Sequence, residues 1–123
     1  MVTNGRIRAP HPAFRPVLLA AAMLALGANA AAAAAGERSG QAVYEAVCAE
    51  CHASGTMNAP VFGDRKAWKR LIAEGQRELV REAIRGVRRM PPRGGDPSLT
   101  DREVERAVVH MANAAGGRFR EPK

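Results

Sequence analysis

Aromatic side chains are scarce in this sequence. One Trp, one Tyr and three Phe serve 123 residues, and only Tyr44, Phe62, Trp68 and Phe119 lie beyond residue 35. An apolar core built from this material alone is thin, and a domain this small commonly needs a disulfide, a metal or another staple. Cysteine is scarcer still: Cys48 and Cys51 are the whole supply. Past residue 35 only His52 and His110 join them, so a structural zinc site lacks a second ligand pair. No stretch reads as a credible strand, which excludes folds built on a sheet.

The first 35 residues carry no acid. Arg6, Arg8 and Arg15 precede an uninterrupted apolar run, Val17 to Ala28, and an alanine-rich stretch with small residues suited to cleavage after Ala30, Ala34 or Ala35. That order is the order of a secretory signal peptide. Counting the alanines brings the run close to the ~20 residues of a membrane span, so an uncleaved anchor is the alternative. Either way residues 36–123 form the exported domain. The formal charge of the chain is +7. Setting aside the three arginines of the leader leaves sixteen basic residues against twelve acids. A surplus of four does not call for a nucleic-acid partner.

The exported part reads as all-α. Ser39 is a plausible N-cap, and Val43, Val47 and Cys51 recur every four residues until Gly55 stops the helix. "KAWKRLIAEG" is a short helix closed by Gly75, and "QRELVREAIRGV" is another, with Leu79, Val80, Ala83, Ile84 and Val87 on its apolar face. "RRMPPRGGDPS" carries three prolines and two glycines in eleven residues and is a constrained loop. The last helix opens with Thr100 and Glu103 as a capping box and ends at Gly116–Gly117.

The chemistry concentrates in "CAECH", residues 48–52. A thiol oxidoreductase wants its C-x-x-C at a helix start beside a sheet, and no strand is present. A disulfide across three residues of a helix closes too short a loop to stabilise much. C-x-x-C-H, the attachment pattern of a c-type haem, uses every residue: Cys48 and Cys51 bond the porphyrin covalently and His52 presents its imidazole to the iron. Haem also supplies the apolar bulk that the sequence lacks.

A second axial ligand decides between an open site and an electron carrier. The candidates past residue 35 are Met57, Met90, Met111 and His110. Met111 falls on the apolar stripe of the last helix, Met57 is only five residues from His52, and His110 reads as a packed or partly exposed helix residue. Met90 stands 38 residues after His52, before Pro91 and Pro92 in the constrained loop, and is the candidate of choice.

Across nearly the whole exported part, "YxxxCxxCH", "APxxGDxxxW", "MPPxGG" and "LTDxEVxxAVxxM" follow in that order. In these motifs the sequence resembles the class I c-type cytochromes, and more closely their small bacterial c-five-like group. The resemblance implies a small class I cytochrome c fold of about four helices around one covalently bound haem c. It implies His52 as proximal and Met90 as distal iron ligand, and a hydrogen bond from the His52 ring to the Pro60 carbonyl. It further implies Trp68 packed on the haem edge near a propionate, a role compatible with core packing, and Gly40 and Tyr44 where the first helix crosses the last. Two departures stand out: the extra cysteine pair of some c-five-like proteins is missing, and His110 replaces a frequent aromatic.

The function expected is one-electron carriage in the periplasm, with no small-molecule substrate at the iron and no enzymatic activity of the domain alone. A cytochrome c subunit bound to a dehydrogenase or oxidase is the alternative, and a haem sensor or peroxidase with a labile Met90 is a third. Arg77, Arg81, Arg85, Arg88, Arg89 and Arg93 surround the approach to Met90. The first three have Glu74, Glu78 and Glu82 at three-residue offsets and read as a solvated helix face. Arg88, Arg89 and Arg93 border the Met90 loop, and are expected to steer an acidic redox protein or a membrane respiratory complex.

Overall fold

The computed structural model describes Met1 and residues 36–123. The predicted leader, its apolar run and its cleavage positions lie outside the described residues. These contain four helices, two short 3₁₀ turns (Thr56–Asn58 and Pro92–Gly95) and no strand. An isolated antiparallel bridge joins Val87 to Met90. Among the described residues no helix is long and apolar enough to cross a membrane.

Short polar side chains start three of the helices, and glycines follow their ends. α1 spans residues 40–52, and Ser39 Oγ accepts the Ala42 amide at 3.2 Å at its start. Gly55 follows its end with φ +80. α2 is Arg65–Glu74; Asp64, a cap the sequence reading passed over, accepts the amides of Lys66 and Ala67. Gly75, at φ +96, stops α2 and starts α3, Gln76–Arg85, so that one residue makes the whole corner. α4 is Asp101–Ala114, opened by the Thr100–Glu103 capping box in both directions, at 3.1 and 3.0 Å.

α1 departs from the regular helix that the sequence predicts. Gly40–Val43 and Ala49–His52 are α-helical, but Tyr44–Cys48 takes the wider π register, with the Ala49 amide bonded to the Tyr44 carbonyl. The helix serves two neighbours. Gly40 and Val43 are buried at the α4 end, whereas Cys48, Cys51 and His52 line a cavity. A π turn changes the phase between the two faces, which a uniform 3.6-residue repeat cannot do.

The core runs along α4, whose Val104, Ala107, Val108, Met111 and Ala112 are buried with Val43, Leu79, Ala83 and Leu99. At the crossing of α1 and α4, Tyr44 and Phe62 stack at 4.4 Å between ring centroids. His110 lies 5.3 Å from Phe62 and 5.7 Å from Tyr44, and fills the aromatic position with its own ring. Few as the aromatics are, two of them meet at this joint.

Glu103 also ties down the start of the domain. Buried to 6 % exposure, it accepts Arg38 Nε at 2.9 Å and the Arg38 amide at 3.2 Å. The Arg38 guanidinium, helped by the Thr100 amide, holds its carboxyl down at about 2, against the opposing effect of burial. A folded pKa below the unfolded one contributes stability above the ordinary carboxylate range, and this is lost as pH falls toward 2. Glu103→Gln is therefore expected to lower the melting temperature at neutral pH by roughly 5 °C. The gap to the wild type should close between about pH 4.5 and 2. Thermal melts of both proteins across that range measure it; a gap independent of pH would contradict the clasp.

Candidate functional site

All four helices, the loop after α1 and the Met90 loop line one large, partly open cavity of about 940 Å³. Cys48, Cys51, His52, Pro60, Trp68 and Met90, the six residues singled out from the sequence, all line it. Val47, Leu71, Leu79, Ala83, Val108 and Met111 supply apolar wall. Met111 thus serves both core and wall, whereas Met57 stands at the rim with half its surface exposed.

The α1 end of the cavity is held by a folded-back loop. His52 Nδ1 lies 2.9 Å from the Pro60 carbonyl oxygen. A carbonyl only accepts, so Nδ1 carries the proton and the lone pair is on Nε2, the form in which an imidazole binds a metal. The next two residues continue the clasp: Trp68 Nε1 donates to the Val61 carbonyl at 2.9 Å, and the Phe62 amide donates to the His52 carbonyl at 2.7 Å. The Trp68 N–H is thus used within the loop, and its ring, 6.2 Å from that of His52, contributes a face. The resemblance implies Pro60 but not Val61 and Phe62, since backbone partners leave no residue-type signal.

Cys48 and Cys51 are both partly buried. The pair is unbridged, and no cluster of three or more His, Cys, Asp or Glu able to hold a bare metal ion occurs among the described residues.

Met90 is held by its own backbone. Its amide donates to the Val87 carbonyl at 2.9 Å and its carbonyl accepts the Val87 amide at 3.0 Å. Arg88 and Arg89 make the two-residue turn between them, Arg88 with φ +53, and both are exposed on the cavity's lining. The loop lies so close to the end of α3 that a Cβ on Gly86 would meet the Pro92 nitrogen at 2.9 Å and the Met90 oxygen at 3.0 Å.

The charges differ from their sequence reading in two places. Of the three pairs expected, Glu78–Arg81 forms; Glu74, the last residue of α2, instead lies 4.0 Å from Arg70. Arg93, expected to face a redox partner, pairs with Asp101 at 2.5 Å. Eight residues and a turn separate them, and the Pro92–Gly95 turn brings them together. Arg88 and Arg89 have no ion pair among the described residues.

The donor set fits a covalently held, iron-bearing macrocycle: two unbridged thiols one turn apart, an imidazole of fixed tautomer and a thioether, around an apolar cavity of ligand size. Comparison with known proteins agrees. The family described as cytochrome c oxidase, cbb3-type, subunit III matches residues 35–111. Cytochrome c-555 of Chlorobaculum thiosulfatiphilum is 45% identical over 76 residues, 58% of this chain and 88% of the relative. Cytochrome c5 of Azotobacter vinelandii is 38% identical over 79 residues, 63% of this chain and 95% of the relative. A chain from the crystal structure of an electron transfer complex of nitrite reductase with cytochrome c superposes with a TM-score of 0.60 at 39% identity, covering 62% of this chain and 93% of the other. The helical fold, the C-x-x-C-H cavity and these relatives together make the chain a member of the cytochrome c family, a small class I monohaem c-type cytochrome with one covalently bound haem c.

Proposed function

We propose that the protein is a periplasmic one-electron carrier whose haem iron is ligated by His52 and Met90. The observation that carries this reading is that His52, with its lone pair left on Nε2, and Met90, held by its paired turn, line the same cavity as the two attachment thiols. Haem c supplies an iron that exchanges one electron between its ferric and ferrous states. Cys48 and Cys51 would fix the group to α1, and the Pro60 carbonyl orients the His52 ring by accepting a hydrogen bond from its Nδ1–H. The Met90 thioether favours the ferrous state relative to a second imidazole. The apolar wall acts in the same direction, because the oxidised centre carries one more positive charge. His52 and Met90 would together hold the iron and leave it no place for a substrate, which supports a carrier rather than an enzyme. The leader-like sequence of residues 1–35 supports export, and exposed Arg88 and Arg89 support an encounter with an acidic redox protein.

The test is an absorption spectrum and redox titration of the holoprotein. A six-coordinate low-spin spectrum, one reversible one-electron wave and indifference of the reduced protein to carbon monoxide are expected. Rapid carbon monoxide binding would favour the sensor or peroxidase reading instead.

A second reading, a subunit bound within an oxidase or dehydrogenase, is favoured by the description of the matching family as an oxidase subunit. Co-purification with a membrane complex in high salt would support it. A lone monomer with salt-sensitive encounters supports the free carrier.

A further inference from the structure

We propose that Arg93 is a positioning residue that clamps the Met90 loop to the start of α4. The proposal deepens the reading of Met90 as an iron ligand and rests on it for its consequence. Arg93 sits in the left-handed region, φ 55 and ψ 28, and so does the adjacent Gly94, at φ 66. Glycine adopts this backbone without steric cost, whereas a side chain there is strained and persists only where the surroundings over-determine it. The surroundings supply two contacts. One guanidinium nitrogen donates to the Leu99 carbonyl at 2.9 Å and the other to Asp101 Oδ1 at 2.5 Å. Leu99 is buried in the core and Asp101 opens α4, so both contacts anchor to rigid structure.

The clamp is the polar half of the loop's seat. On its apolar side Gly94 lies close enough to α1 that a Cβ there would come within 3.3 Å of Val47, another residue of the cavity wall. Three residues before Arg93, Met90 is held by its pairing with Val87. Swinging Met90 out of the cavity requires the loop to lift, and lifting it breaks the Arg93 contacts. Arg88 makes the contrast: it too is left-handed, at φ +53, but it is exposed and has no ion pair among the described residues. Of the three arginines near Met90, Arg93 thus holds the loop, and Arg88 and Arg89 remain for partners.

The experiment compares wild type, Arg93→Gly, Arg93→Gln and Asp101→Asn as holoproteins. Arg93→Gly removes the clamp and relieves the backbone, so it separates the side chain's task from mere conformational fit. Amide exchange at Met90 and Gly94, both hydrogen-bonded, should quicken roughly tenfold in the two Arg93 variants, in line with the loss of a charge-assisted contact. Exchange at Val108 in the middle of α4 should stay as in wild type. Asp101→Asn, which keeps the Leu99 contact, should shift in the same direction by less. Imidazole added to the ferric protein should bind roughly tenfold more tightly to Arg93→Gly and Arg93→Gln. Unchanged exchange at Met90 and Gly94 in Arg93→Gly overturns the clamp, whatever the melting temperature does. Faster exchange with unchanged imidazole affinity supports the clamp and counts against Met90 as the ligand.

Discussion

Met90→Ala should convert the site from closed to open. The reduced variant is expected to bind carbon monoxide, and its midpoint potential to fall by about 0.1 V or more, within the ~0.8 V over which axial ligands set haem potentials. Two effects would act together on the proposed ligation. Removing the thioether would withdraw a ligand that favours the ferrous state, and the space left would admit water, which stabilises the more charged ferric state. The other methionines provide the controls. Met57 is half exposed at the rim, so Met57→Leu should leave spectrum and potential unchanged. Met111 is 5 % exposed within the core, and Met111→Leu conserves volume. An unaltered spectrum and potential in Met90→Ala would remove this residue from the iron.

Gly40→Ala is expected to cost on the order of 3 kcal/mol or more, a large share of the stability that holds a small domain together. A Cβ at position 40 would lie 2.1 Å from the Arg106 carbonyl oxygen and 2.6 Å from its carbon. The obstacle is helix backbone, which cannot rotate away as a side chain would, so α1 and α4 must separate. Separation also loosens the stack of Tyr44, Phe62 and His110 at the same crossing. Guanidinium unfolding of the holoprotein measures the loss. Gly36→Ala, where nothing lies within 4 Å of the new carbon, is the matching control and should be neutral. Equal midpoints for the two variants would show that the crossing tolerates a side chain.

These two substitutions differ in how far the sequence could foresee them. Met90 could be picked out as a candidate because its signal is local: a methionine set between arginines and prolines, 38 residues after His52. Gly40 could be named only through a resemblance, because the atoms that exclude a Cβ belong to Arg106, 66 positions later. Arg93 shows the same limit from the other side. With Pro97, Ser98, Leu99 and Thr100 next before the acid, Asp101 does not look like a partner until the turn closes.

The sequence by itself determined the parts whose causes lie within a few residues. Ser39 and Thr100 start helices because their hydroxyls reach amides three residues on, and Gly75 and Gly86 stop them because they accept positive φ. C-x-x-C-H declares its chemistry by residue type and spacing alone. Tertiary structure decided what depends on two distant segments meeting. It set the π register of Tyr44–Cys48, where one helix must face both α4 and the cavity. It set the clasp of Pro60, Val61 and Phe62 around His52 and Trp68, made through backbone atoms that every residue carries. It also turned Arg93 from a surface charge into a strut, because a charge finds its partner by distance in space, and only the fold fixes that distance.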